Sequence, residues 1–215
     1  GNTLIKALTF GGHEKTYQSW YGVSKDQLLE NRRQNPYTYE NEIDNYKQDH
    51  YQFHWNQKLN EKWSTNLGLN HTYGRGYFEQ FREGDSIDIY GGILVSDIDQ
   101  QGNQTGTTDL IRRRWLDNNF YVLNASVNYK TSKLDLIFNS SYSTYSGDHY
   151  GEVIWARNFS KNSSVRDRYY DGNGKKTDFS VFAKASYLLN EKLEFYGDLQ
   201  LRKLNYKTSG ITSDL

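Results

Sequence analysis

The stretch Trp63-Ser64-Thr65-Asn66-Leu67-Gly68-Leu69-Asn70-His71-Thr72-Tyr73 decides the fold. Its odd-numbered positions are aromatic, aliphatic or otherwise uncharged, whereas its even-numbered positions are small and polar. Side chains of a β-strand point to alternate faces with a period of two. The stretch therefore predicts a strand with one apolar and one polar face.

Five other stretches alternate in the same way. Their uncharged faces are formed by Tyr51, Phe53 and Trp55; by Tyr121, Leu123, Ala125, Val127 and Tyr129; by Leu134, Leu136, Phe138, Ser140 and Tyr142; by Phe179, Val181, Ala183, Ala185 and Tyr187; and by Leu193, Phe195, Gly197, Leu199 and Leu201. The opening stretch, near Leu4, Leu8 and Phe10, predicts another strand, although Lys6 interrupts its pattern. We expect an all-β chain of about seven strands.

The uncharged faces have the features of surfaces in contact with lipid. They lack charges, and a charge at the bilayer midplane would cost about 2–4 kcal/mol. Aromatic residues stand at the ends of several faces, as in the pairs Tyr121 with Tyr129 and Phe179 with Tyr187. Aromatic rings favour the headgroup level, and strands of roughly 9–11 residues cross a bilayer at a tilt. The pattern predicts an antiparallel up-and-down transmembrane β-barrel.

The connections between the predicted strands alternate in length. Tight polar turns are expected at 59–62, 130–133 and 189–192, and long stretches at 21–48, 79–114 and 147–176. Transmembrane barrels have short periplasmic turns and longer extracellular loops. In the first long stretch, Ser24-Lys25-Asp26-Gln27 has the form of a capping box and predicts one short helix.

Composition excludes several classes of protein. The 215 residues hold 26 basic and 26 acidic side chains, and this balance argues against a nucleic-acid binder. Cysteine is absent, so disulfides and thiolate metal sites are excluded. Aromatic residues make up 16%, with 19 tyrosines, and mean hydropathy is −0.92. No apolar run approaches the roughly 18 residues of a membrane helix.

The sequence shows no catalytic motif, so we expect neither an enzyme nor a bound cofactor. His50 and His54 would lie about 13 Å apart on a strand, too far to share one metal ion. The clusters Asp97-Ile98-Asp99 and Asp171-Gly172-Asn173-Gly174 lack the downstream glutamate of a complete calcium loop, and turns are the better interpretation. We therefore expect no metal site.

A soluble all-β binding module, for example one for carbohydrate, is the alternative. Val122, Ile137, Phe182, Leu188 and Tyr196 interrupt the polar faces. In a wide barrel these side chains would touch a plug domain in the lumen. In a soluble sandwich they would belong to the core of a sheet covered on both sides.

Several motifs together resemble TonB-dependent receptors of Bacteroidetes. They are Lys15-Thr16-Tyr17-Gln18-Ser19-Trp20-Tyr21-Gly22-Val23, Asn41-Glu42-Ile43-Asp44-Asn45-Tyr46-Lys47-Gln48-Asp49-His50-Tyr51-Gln52, Tyr73-Gly74-Arg75-Gly76-Tyr77-Phe78-Glu79 and Arg114-Trp115-Leu116-Asp117-Asn118-Asn119-Phe120-Tyr121. The resemblance covers essentially the whole chain and corresponds to the middle of the family's barrel.

The resemblance implies a 22-stranded barrel of the bacterial outer membrane with an internal plug, driven by the TonB system. Such receptors import large scarce nutrients such as ferric siderophores, haem, cobalamin or glycans. The sequence shows no TonB box, no plug-like segment and no closing strand with an aromatic end, since it finishes at Thr212-Ser213-Asp214-Leu215. We therefore expect residues 1–215 to be a partial barrel domain, whose open edges favour self-association in isolation.

Cargo contacts are expected in the long loops, because barrels carry function on loops held by a rigid wall. The candidate ligand-binding residues are Tyr37, Tyr39, Tyr90, Arg112, Arg113, Arg114, Trp155, Tyr169 and Tyr170. The three consecutive arginines would attract an anionic ligand such as a ferric chelate. The alternatives are that they bind lipopolysaccharide phosphates or pair with nearby carboxylates.

Overall fold

A computed structural model describes residues 1–211 of the chain. It contains seven strands, one α-helix and one short 3-10 helix. Their bounds are β1 Thr3–Tyr17, α1 Lys25–Glu30, β2 Ile43–Lys58, β3 Trp63–Ser86, the 3-10 helix Ile87–Tyr90, β4 Thr107–Lys130, β5 Leu134–Ala156, β6 Arg168–Asn190 and β7 Leu193–Gly210. The prediction that no closing strand with an aromatic end is present depends on residues 212–215, and these lie outside the described residues.

The seven strands form a single antiparallel sheet in the order β1-β2-β3-β4-β5-β6-β7. Each strand pairs with its neighbours in sequence, which is the up-and-down arrangement that the alternating segments predict. The prediction of about seven strands and an all-β fold is confirmed. Within residues 1–211, β1 and β7 each have one edge that pairs with no other strand.

The strand register places the predicted uncharged faces on one side of the sheet. One row across the sheet contains Trp55, Leu67, Ala125, Ser140, Val181 and Leu201, each opposite the next. Residues directly opposite in an antiparallel pair share a face. We call this side the apolar face, and the side that carries Asn66, Asn124 and Ser141 the polar face.

The apolar face has the dimensions of a membrane-crossing band. On β4, Tyr121 and Tyr129 mark its two ends, and eight residue steps of about 3.4 Å give about 27 Å along the strand. At the tilt of about 40° that strands of membrane barrels have, this length corresponds to a height of about 21 Å, close to the roughly 25 Å of their apolar band. Rings cluster at both ends: Tyr121 stacks on His71, and Trp63 contacts Tyr129 with ring centroids 4.7 Å apart.

No second layer of the described chain covers the apolar face. Phe138 and Leu199 both lie on the apolar face, and they are 54% and 69% exposed. The two-sheet core that a soluble sandwich requires is therefore not found among residues 1–211. No helix in this part of the chain is long and apolar enough to cross a membrane.

The first strand is present, but its faces are the reverse of the expected ones. Leu8 pairs with Gln52 and Lys6 pairs with His54, so the predicted residues Leu4, Leu8 and Phe10 lie with Lys6 on the polar face. Ile5 and Ala7 occupy the apolar face instead. Lys6 therefore does not interrupt the pattern, because the alternation begins one residue later than expected.

Short and long connections alternate as predicted, but the long ones are shorter than expected. They span 18–42, 87–106 and 157–167, because β2 to β6 extend well beyond the apolar band. The predicted capping box is confirmed: Ser24 Oγ accepts a hydrogen bond from the Gln27 amide, and the Gln27 side chain accepts one from the Ser24 amide. Of the nine candidate residues, six therefore lie on strands: Arg112, Arg113, Arg114, Trp155, Tyr169 and Tyr170.

Candidate functional site

The largest buried cluster lies on the polar face, far beyond the apolar band. Here the connection 87–106 folds back over the ends of β4, β5 and β6. Its buried members are Tyr90, Ile93, Leu94, Leu110, Val153, Ala156, Tyr169 and Tyr170, and we call them the polar-face cluster. Tyr169 and Tyr170 pack over Gly151, where an added Cβ would lie 2.4 Å from both rings. A glycine is therefore required beneath the two tyrosines.

Arg112 is buried beneath this cluster, and its guanidinium donates hydrogen bonds to two side chains. It donates to Tyr90 Oη at 3.0 Å and makes two hydrogen bonds to Gln80 Oε1 at 3.2 and 3.0 Å. Tyr90 in turn donates to Asp85 Oδ2 at 2.6 Å. Buried cations are tolerated where they are paired and hydrogen-bonded. Arg112 thus holds the connection 87–106 against the sheet.

The protonation of Asp85 follows from its neighbours. Burial alone would raise the pKa of the Asp85 carboxyl, but hydrogen bonds from Arg82 and Tyr90 and the charges of Arg82 and Arg112 outweigh it, so the pKa lies below its usual 3.8. Burial raises the pKa of the Tyr90 hydroxyl, the Arg112 charge opposes this, and the Asp85 hydrogen bond adds to it. The network therefore consists of a carboxylate, a neutral phenol and a guanidinium at neutral pH.

Arg114 lies next to the polar-face cluster and is less buried than Arg112. Its guanidinium carbon is 5.7 Å from the Phe78 ring centroid and 5.9 Å from that of Tyr170, and its Nε donates to Tyr169 Oη at 3.4 Å. A planar guanidinium between aromatic rings is a common mode of stacking. The structure therefore brings together five of the nine candidate residues: Tyr90, Arg112, Arg114, Tyr169 and Tyr170.

Arg113 points to the opposite side of the sheet. It pairs with Glu79 at 2.7 Å and lies over the Tyr77 ring at 4.2 Å. Since the three arginines lie on a strand, Arg112 and Arg114 share the polar face and Arg113 extends from the other. The three side chains therefore do not converge on one point, and the ligand-binding role of Arg112, Arg113 and Arg114 stays a prediction.

Tyr39 and Trp155 line a groove on the same side as Arg113. The groove has a volume of about 380 Å³ and is also lined by Thr38, Phe81 and Ile111. Tyr39 donates to Glu79 Oε1 at 2.6 Å, and burial together with this hydrogen bond raises the pKa of Tyr39 to about 12. The ninth candidate, Tyr37, stacks on Tyr21 in the first long connection.

The residues considered for metal binding make other contacts in the structure. His50 contacts Thr72 and stacks on Phe10, whereas His54 contacts Gln52. The Asp99 carboxylate accepts the amides of Gln101 and Asn103, as in an ordinary turn. No group of three or more potential ligands capable of holding a metal ion is found within residues 1–211.

Sequence reasoning missed two residues that organise the long connections. Glu42 is almost fully buried, where it accepts hydrogen bonds from the Trp20 indole and from the Phe81 amide at 3.2 Å, and so anchors the connection 18–42. Asp85 anchors the connection 87–106. An acidic residue next to the start or end of a strand gives no signal in sequence, because charged residues are common there.

Comparison with known proteins gives a structural likeness. No protein-family model and no curated protein matches the chain. The fold is similar to part of the crystal structure of the ferric-catecholate import receptor Fiu from E. coli K12 in its closed form, with a TM-score of 0.56 at 11% identity. The likeness covers 97% of this chain and 32% of that one, so the chain spans about a third of the receptor's length.

Proposed function

We propose that this chain forms part of the barrel wall of a TonB-dependent receptor in the bacterial outer membrane. Residues 1–215 would be one partial barrel domain from the middle of the barrel. The whole receptor would import a large scarce nutrient, such as a ferric siderophore, haem, cobalamin or a glycan, and would not act as an enzyme. Its partners would be the plug domain, the TonB system and the lipids of the outer membrane.

The observation that carries this proposal is the uncovered apolar face. Burying a large apolar surface is worth roughly 25 cal/mol per Å², so leaving seven strands of it in water would be costly. Monomeric soluble proteins rarely expose a continuous apolar patch of this extent. The band of about 21 Å with rings at both ends fits hydrocarbon flanked by headgroups.

The two open edges support a place within a larger barrel. In hydrocarbon each unpaired backbone group costs several kcal/mol, so only a closed barrel is stable there. β1 and β7 would therefore pair with further strands of the same receptor. The likeness to about a third of Fiu, a receptor described as importing ferric catecholates, is consistent with this arrangement.

Cargo recognition would take place on the polar face and in the long connections. In a closed barrel the polar face lines the lumen, and the polar-face cluster lies at the end that carries all three long connections. Arg114, Phe78 and Tyr170 would form part of the wall that a ligand passes. Arg112 would act indirectly, by fixing the connection 87–106.

The test is to follow the full-length gene product in its native host. It should fractionate with the outer membrane, and uptake of its cargo should stop when TonB is depleted. A matched strain that lacks only the connection 87–106 should keep the barrel but bind cargo more weakly. Recovery of the full-length product in a soluble fraction, folded without detergent, would contradict the proposal.

A further inference from the structure

Three exposed lysines lie close together at one end of the apolar face. Lys175 on β6 is directly opposite Lys207 on β7, and Phe179 is directly opposite Lys203 in the same strand pair. The register places all three on the same side of the sheet as the apolar band, and we call them the lysine patch. Cβ atoms of directly opposed residues are about 4.5–5.5 Å apart. The side chains of Lys175 and Lys207 therefore leave the sheet next to each other.

This arrangement is unfavourable without an anion. Like charges directly opposite each other destabilise a strand pair. Asp148, which the register places diagonally across from Lys175 on this side, already accepts a hydrogen bond from Asn173. Among residues 1–211 no ion pair includes a lysine of the patch, whereas cations at the same level elsewhere are paired, as Arg75 is with Asp117 at 3.2 Å. Within residues 1–211 the lysine patch thus carries excess positive charge.

The height of the patch matches the boundary of the apolar band. Lys203 is level with Phe179, at the upper margin of the band on β6. Lys175 and Lys207 lie four residues further along their strands, about 13 Å along the strand and about 10 Å higher at a 40° tilt. Lysine side chains reach from apolar surface to a polar boundary while their stems stay in contact with hydrocarbon.

We infer that the lysine patch binds the phosphate headgroups of anionic lipids in the leaflet that surrounds this end of the band. This inference rests on the proposed function, because it requires the apolar face to lie in a bilayer. The patch is open and extends over about 13 Å, so it does not enclose a single free phosphate ion. A layer of headgroups, in contrast, presents several phosphates at one height along the wall.

The experiment uses the full-length gene product in lipid nanodiscs of phosphatidylcholine with a variable fraction of phosphatidylglycerol. Affinity for phosphatidylglycerol over phosphatidylcholine is measured for the native protein, for the double variant Lys175→Gln/Lys207→Gln and for the control Lys25→Gln/Lys161→Gln. The control lysines are also exposed but lie in α1 and in the connection 157–167. A lysine near an anionic surface contributes about fivefold, so the double variant should lose about 25-fold.

The outcomes separate this inference from the proposed function. Brominated lipids should quench the fluorescence of both Trp55 and Trp63, which lie on the apolar face. If the fluorescence of one or both stays unquenched, the proposed function itself is overturned. If both tryptophans are quenched but the native protein shows no preference for phosphatidylglycerol, only this inference is overturned. Carboxylates of another strand that pair with the lysine patch would give that result. An equal loss in the control variant, or displacement of the lipid by 10 mM inorganic phosphate, would also overturn it.

Discussion

Placing a charge at the centre of the apolar face should destabilise the protein far more than placing one beside it on the polar face. Ala125 is midway between Tyr121 and Tyr129 on β4, and Asn124 is its neighbour in sequence on the other face. An arginine at the bilayer midplane costs about 2–4 kcal/mol, whereas one facing the lumen is solvated. We expect Ala125→Arg to lower the free energy of unfolding by about 3 kcal/mol, and Asn124→Arg by less than about 1 kcal/mol.

A third variant separates lipid contact from burial in a protein core. Thr144 lies opposite Tyr121, at the end of the band, on the same face as Ala125. Near the interface the cost of arginine falls to about 0–1 kcal/mol, so Thr144→Arg should be mild. A protein core would have no such dependence on depth in the bilayer.

The assay is reversible urea unfolding of the full-length product folded into lipid vesicles, followed by tryptophan fluorescence. The free energy of unfolding should fall only slightly in Asn124→Arg and Thr144→Arg, and should fall most in Ala125→Arg. Similar small losses for Ala125→Arg and Asn124→Arg would refute the assignment of the two faces. So would a large loss that is unchanged when the protein is transferred to buffer without lipid or detergent.

Three further predictions concern the polar-face cluster. Tyr90→Phe removes one acceptor of the buried Arg112 and the donor to Asp85, and should cost about 1–3 kcal/mol. The cost is measured by hydrogen exchange of the connection 87–106, with the exposed Tyr17→Phe as control. Because the pKa of Asp85 is lowered in the folded state, the stabilisation by the Asp85 carboxylate is complete above the unfolded value of 3.8 and is lost as pH falls through the lower folded value. Hydrogen exchange of the connection 87–106, measured as a function of acid pH, should show this loss. Asp85→Asn should abolish the pH dependence. Gly151→Ala should cost about 1–3 kcal/mol in thermal unfolding, because its Cβ would meet two rings, whereas Gly12→Ala, with open space around it, should not.

The strands could be predicted because their alternation extends over many residues with a period of two. Six of the seven uncharged faces had the correct phase, since a shift of one residue would have moved polar or charged side chains, such as Asn124 or Lys184, into the band. β1 was the exception: Leu4, Leu8 and Phe10 on one face compete with Ile5 and Ala7 on the other. Sequence alone does not settle such a strand, because its register to β2 decides which set joins the band.

The lengths of the strands could not be predicted from the same signal. Beyond the band the polar face carries the largely apolar polar-face cluster and the other face carries charged residues such as Arg113, so the alternation of apolar and polar residues is lost. Arg112 to Arg114 were therefore assigned to a loop, although they continue β4. Once the strand is known to extend this far, its period of two separates Arg113 from the other two. The contact of Tyr90 with Arg112 depends on how a loop folds back, which local sequence does not determine.

The most direct test of lipid contact is a scan of spin labels along β4. Residues 1–215 contain no cysteine, so a single cysteine substitution at any position from 121 to 129 adds the only thiol of this part of the protein. In nanodiscs we predict that odd positions are accessible to oxygen and protected from a water-soluble nickel chelate, most strongly at 125, and that even positions lack this signature. Nickel access at the odd positions, or exclusion of both reagents there, would contradict the account.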